Sequence, residues 1–122
     1  MGDAVILIVD DELLNRWSLR ERLKQEGYEV IEAQDGAQAA RHFSAGVAFA
    51  AVLLDYKLPD TDGLALLALL RQAQAHCPVI MMTAYGTADV QRKAHELGIS
   101  GFVEKPFDYD ALVGRVNAVA VR

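Results

Sequence analysis

Apolar runs and amphipathic stretches alternate five times along this chain. Residues 4–9 are continuously apolar, the pattern of a strand covered on both faces. A helical pattern follows over 12–26, with Leu19 and Leu23 spaced i, i+4 and Gly27 at the position after the cap. Residues 28–33 alternate apolar and polar, which predicts an outer strand with one wetter face. Asp35 is placed to cap a helix running to about residue 45. Residues 49–54 are all apolar and predict a central strand. The turn-forming cluster Pro59-Asp60-Thr61-Asp62-Gly63 then leads into a Leu-rich helix over about 64–75. A fourth strand is predicted over 79–82, and a helix capped by Thr87 reaches Leu97 and stops at Gly98. A short strand over 102–104 precedes a last helix. Asp108 is its predicted cap, with Phe107 and Leu112 placed for a hydrophobic staple and Leu112, Val116 and Val119 or Ala120 as its inner stripe.

Five β–α units in 122 residues predict an α/β fold of the flavodoxin-like (βα)5 type. This is a doubly wound sandwich around a five-stranded parallel sheet of order 2-1-3-4-5. An eight-fold β/α barrel needs roughly 250 residues and is excluded. Residues 1–122 are read as a single domain, either a complete regulator or the N-terminal part of a longer protein.

In a parallel sheet, the residues that end the strands gather on one rim, where such folds bind ligands. Here the apolar runs end in Asp10-Asp11, in Asp55, in Thr83 and, after Glu104, in Lys105. Asp10 and Asp11 meet Asp55 only if strands one and three are neighbours. Three carboxylates brought together repel unless a cation joins them, and oxygen-only ligation suits Mg²⁺. For Asp10-Asp11 taken alone, helix capping is an equal alternative. A central carboxylate can attack phosphorus and hold an acyl phosphate, which makes Asp55 the candidate nucleophile. Phosphoryl transfer depends on positioning and charge neutralisation, which Mg²⁺, the Lys105 ammonium and the Thr83 hydroxyl would supply.

Val9-Asp10-Asp11-Glu12, Leu53-Leu54-Asp55-Tyr56-Lys57-Leu58-Pro59, Asp62-Gly63, Met82-Thr83-Ala84 and Lys105-Pro106-Phe107 resemble the signature blocks of response-regulator receiver domains. The resemblance covers essentially the whole chain, in order. It implies that Asp55 is the phosphoacceptor and that Asp10, Asp11, Asp55 and the backbone carbonyl of Lys57 hold Mg²⁺, Asp11 more directly than Asp10. It also implies that Thr83 and Lys105 bind the phosphoryl group. Thr83 and Phe102 would form a switch, Phe102 also being readable as a plain core residue. Lys57 and Tyr85 would tune the lifetime of the phosphoryl group, or else be a solvated lysine and a loop tyrosine. A cis bond before Pro106 is a further family trait. Arg16-Trp17 and Thr83-Ala84-Tyr85-Gly86-Thr87 resemble the nitrogen-regulatory class, whose receivers control transcription activators.

The implied partners are a sensor histidine kinase as donor and an output domain, linked or separate, as receiver of the signal. The helix 4–strand 5–helix 5 side would read out activation, with a phosphorylation-dependent homodimer as one form of it. A single-domain phosphotransfer shuttle is an alternative. The chain would catalyse its own phosphorylation and dephosphorylation but turn over no external substrate.

The net charge of −5 argues against nucleic-acid binding, and no apolar run approaches the ~18 residues of a membrane span. With no basic start of a secretory signal, a cytoplasmic location is expected. The lone Cys77 excludes an internal disulfide and reads as a buried structural thiol. His42, His76 and His95 read as surface residues, and Trp17 as a partly buried helix residue. The Leu-rich stretch 64–70 reads as core, with a partner contact as the minority alternative. A phosphatase of the haloacid-dehalogenase type would need an acid two residues after the nucleophile, where this chain has Lys57. A flavin or nucleotide binder would need a phosphate-cradling first loop, which Asp10-Asp11-Glu12 would repel.

Overall fold

The computed structural model describes residues 4–84 and 86–121. Strands and helices alternate as β1 (Val5–Val9), α1 (Leu13–Gln25), β2 (Glu29–Ala33), α2 (Gly36–Ser44), β3 (Ala51–Asp55), α3 (Gly63–Ala73), β4 (Val79–Thr83), α4 (Ala88–Glu96), β5 (Gly101–Glu104) and α5 (Tyr109–Val119). All strand pairs are parallel, and the sheet order is β2-β1-β3-β4-β5. The predicted fold is therefore the observed one.

Alternation within the central strands builds two cores from continuously apolar runs. Leu7, Val9, Val52, Leu54, Val79 and Met81 face α2, α3 and α4, where Phe43, Leu66, Leu67, Leu70 and Ala94 meet them. Ile6, Ile8, Leu53, Ile80 and Met82 face α1 and α5, meeting Leu19, Leu23, Leu112, Val113 and Val116. Such strands have no wet face, which is why their sequence shows no period of two. The outer strands β2 and β5 are only partly buried.

Side-chain caps set most helix starts. Asp35 accepts from Gln38 N (2.8 Å), Asp62 from Ala65 N (2.9 Å), Thr87 from Val90 N (3.2 Å) and Asp108 from Asp110 N (2.8 Å). Each such bond satisfies a helix donor that would otherwise lack a partner. Among the described residues, α1 is the one helix without a side-chain cap, its N-cap being Glu12. At its far end Gly27 takes a positive φ of 92°, where a side chain would be strained. Phe107 and Leu112 both pack on the α1–α5 core, as the staple requires.

Two expectations change. The third strand begins at Ala51, leaving Phe49 and Ala50 as buried residues of the approach. Trp17 is not partly buried in the core sense but 50% exposed, beside exposed Leu13 and Leu14. The turn of α1 that faces the sheet is given to Asn15, Arg16, Leu19 and Leu23, and Trp17 falls outside that stripe.

Candidate functional site

Register brings the strand ends together. Val9 lies opposite Leu54, Asp55 opposite Met82, and Thr83 opposite Glu104. The residues that follow Val9 and Glu104, Asp10 and Lys105, therefore flank Asp55 and Thr83 on a single rim. The Lys105 amide donates to Thr83 O at 2.7 Å, extending the β4–β5 pairing into the site. A cavity of about 300 Å³ opens there, lined among others by Asp11, Asp55, Lys57, Thr83 and Lys105.

Asp10, Asp55 and Thr83 are buried, whereas Asp11 is exposed. One oxygen from each of Asp10, Asp11 and Asp55 lies within 4.8 Å of the others. Hard anionic oxygens so grouped fit Mg²⁺, which takes one or two carboxylates and keeps several waters. The carboxylates are also individually held. Asp55 Oδ1 accepts from Lys57 N (3.3 Å). Asp10 Oδ1 accepts from Glu12 N (2.9 Å) and its Oδ2 from Asn15 Nδ2, while Arg16 Nη1 donates to the Asp10 carbonyl (2.7 Å). The aspartate pair is thus not a helix cap for α1; Asp10 is committed to the rim.

Lys105 stands among the acidic residues themselves. Its Nζ lies 3.0 Å from Asp55 Oδ2, 3.3 Å from Asp10 Oδ2 and 3.4 Å from Glu12 Oε1. An ammonium on a four-carbon stem reaches into the position where two buried like charges would repel, and offsets both. Burial pushes the Asp55 carboxyl up and the Asp10 charge adds to this, with Lys105 opposing; the balance leaves it at about 6. Burial works to lower the Lys105 ammonium, but its hydrogen bond to Asp55 and the charges of Asp10 and Asp55 outweigh it and hold the group above its ordinary value.

Phe102 is partly buried against the α2–α4 core, so its core reading holds. A Cβ built on Gly86 would stand 2.6 Å from Phe102 Cε1 and 3.3 Å from Thr83 Cγ2, so these three residues meet at one point. Tyr85 lies outside the described residues. The Lys57 side chain is exposed, and the Lys105–Pro106 bond is cis. His42 and His95 lie in the last turns of α2 and α4 and His76 precedes β4, all toward the opposite edge of the sheet. Cys77 is buried, and burial pushes its thiol up to about 11.

Asn15, Arg16 and Tyr109 are the residues at the site that the motif reading passed over as structural contributors. No local signal marks Asn15 or Tyr109, because their contact joins positions far apart in the chain. Asp60 is another: it accepts from Gly36 N (2.8 Å) and Ala37 N (3.0 Å), tying the β3–α3 loop to the start of α2. These backbone donors hold its carboxyl below the usual range.

Comparison with known proteins agrees with this architecture. The chain is 38% identical over 113 residues to the response regulator protein FleR of Pseudomonas aeruginosa, covering 93% of this chain and 24% of FleR. It is 38% identical over 112 residues to the sporulation initiation phosphotransferase F of Bacillus subtilis, covering 92% of this chain and 90% of that protein. It spans about half or less of several other curated relatives. A CheY-like receiver domain from Methanospirillum hungatei superposes with a TM-score of 0.91 at 27% identity, covering 96% of this chain and 93% of that one. None of the described helices is long and apolar enough to cross a membrane. Residues 6–117 match the family described as the response regulator receiver domain, and with the strand order and the acidic rim in agreement, the chain belongs to that family.

Proposed function

We propose that this domain takes a phosphoryl group from a phosphohistidine of a sensor kinase onto Asp55. The observation that carries the reading is Asp55 itself, a buried carboxylate at the end of a central strand. It shares one lysine with Asp10 and faces an open cavity. In the transfer, an Asp55 carboxylate oxygen bonds to phosphorus as the histidine nitrogen–phosphorus bond breaks, and the imidazole leaves. Mg²⁺, held by Asp10, Asp11, Asp55 and the Lys57 carbonyl, would supply charge neutralisation on the phosphoryl oxygens. Lys105 moves its ammonium from the carboxylate pair to the incoming group, and Thr83 donates its hydroxyl to another phosphoryl oxygen.

Thr83 and Phe102 are proposed as the switch, transmitting occupancy of Asp55 to the α4–β5–α5 side, where an output domain or a second copy would respond. Lys57 and Tyr85 are proposed to set the lifetime of the phosphoryl group. No external substrate is turned over. The similarity to a protein named as a phosphotransferase along most of both chains supports the transfer chemistry.

Intact mass after incubation with acetyl phosphate and Mg²⁺ tests the reading. One phosphoryl mass is expected on the parent, and none on Asp55→Asn or in EDTA. A phosphoryl adduct retained by Asp55→Asn would overturn the assignment of the acceptor.

A further inference from the structure

Asp10 is fully buried, and one of the contacts that orient its carboxylate comes from Asn15, outside the motif blocks. Oδ2 accepts from Asn15 Nδ2 and Oδ1 from the Glu12 amide. Asn15 is itself buried, and its Oδ1 accepts from the Tyr109 hydroxyl at 2.7 Å. A phenol bonded here as donor fixes which way the amide faces: oxygen toward Tyr109, NH2 toward Asp10. The reversed amide would set its oxygen against the carboxylate.

Tyr109 is in turn well fixed. It is the first residue of α5, directly after the Asp108 cap. Its ring meets Phe107 edge-on, with centroids 5.4 Å apart and planes at 78°, and the Arg22 guanidinium lies 5.0 Å over it. The series Tyr109–Asn15–Asp10 is therefore a rigid strut from the first turn of α5, through α1, to the rim.

We infer that Asn15 and Tyr109 are positioning residues for cation binding: Asn15 aims the Asp10 carboxylate at the cation, and Tyr109 acts through Asn15 by fixing its amide. Without the Asn15 donor, Oδ2 is left to Lys105, which draws the carboxylate toward Asp55 and away from Asp11. Outer partners of ligating groups are generally worth 10–100-fold in metal affinity. This inference rests on the reading of Asp10, Asp11 and Asp55 as a cation site.

The test is binding of Mn²⁺ alone, with free ion counted by electron paramagnetic resonance, beside urea unfolding of each variant. Asn15→Leu keeps the branched shape, with somewhat more bulk, and removes the donor; Tyr109→Phe removes one hydroxyl and keeps the packing. Asn15→Leu is expected to weaken Mn²⁺ binding by roughly 10-fold, and Tyr109→Phe in the same direction by less. The double variant should be no weaker than Asn15→Leu, because Tyr109 has no other route to the metal. Parental affinity in Tyr109→Phe, or independent additive losses, overturns the strut; if Asn15→Leu does not fold, Tyr109→Phe decides. A parent that takes up no Mn²⁺ overturns the cation site and the strut with it, whereas a parent that binds beside unaffected variants overturns the strut alone.

Discussion

Lys105 Nζ stands 3.0 Å from Asp55 Oδ2 and 3.3 Å from Asp10 Oδ2, so one partly buried ammonium serves two buried carboxylates. The acidic rim is consequently a place where the fold stores electrostatic cost next to the residue proposed to react. Both groups also respond to anything that brings or removes positive charge.

The first prediction follows from the raised Asp55 carboxyl, at about 6 in the folded protein against about 3.9 for an unperturbed aspartate. Between these values the folded state binds more protons at this group than the unfolded chain does. Stability therefore falls as pH rises from about 4 to 6, and the penalty is complete above that window. Asp55→Asn removes the ionisable group. In EDTA at pH 7.5 the variant should be more stable than the parent by up to roughly 3 kcal/mol, and the two should converge below pH 4. Urea midpoints across pH 3.5–8 measure this; a constant difference between the two proteins at every pH contradicts it.

The second prediction concerns the other side of the pair. Lys105→Gln leaves the Asp10 and Asp55 carboxylates facing each other without the ammonium that bonds to both. The metal-free variant should lose about 1–3 kcal/mol, a figure reduced for the partial exposure of the lysine. Mg²⁺ at 100 times its dissociation constant stabilises a protein by about 2.7 kcal/mol, and here it should help the variant more than the parent. Phosphoryl uptake from acetyl phosphate should nevertheless slow by roughly 100-fold, since a charge aimed at the transferring group is gone. Thermal melts with and without Mg²⁺, beside a time course of intact mass, check both arms. Equal Mg²⁺ stabilisation of the two proteins would count against a shared electrostatic role.

What the chain made legible, and what it did not, follows the range of the interactions. Asp10, Asp55 and Thr83 were readable because each ends or follows an apolar run, and strand order alone then brings them to one rim. The reach of Lys105 to Asp10 was not, because a strand-end position does not say where a long side chain goes. Asn15 and Tyr109 were invisible for another reason: their bond joins residues 94 positions apart, and neither breaks a local pattern. Arg71 makes the same point. At the end of α3 it resembles any solvated basic residue, yet it donates to the carbonyls of Cys77 (2.7 Å), Leu97 (2.8 Å) and Gly98 (2.8 Å). It thereby ties α3 to the residues that close α4. Helix periodicity reports which face is apolar, not which carbonyls an arginine will find.

The last prediction concerns the point where Gly86, Thr83 and Phe102 meet. An added methyl at Gly86 would stand 2.6 Å from the Phe102 ring, closer than carbon atoms approach without displacement. Gly86→Ala must therefore move the ring out of its packing against the α2–α4 core, or strain the backbone before α4. Overpacking of this kind costs about 1–3 kcal/mol. In a Phe102→Ala background the obstructing ring is absent, and the same methyl meets only the tight contact with Thr83 Cγ2 at 3.3 Å. The Gly86→Ala penalty should then shrink by on the order of 1 kcal/mol, a coupling that a double-mutant cycle in urea reads directly. Additive effects would mean that the backbone, not the ring, absorbs the methyl. Since Phe102 is proposed to turn with Thr83, Gly86→Ala should also shift the ring's equilibrium before any phosphoryl group arrives, visible as altered ¹⁹F chemical shifts of fluorinated Phe102 in the unmodified protein.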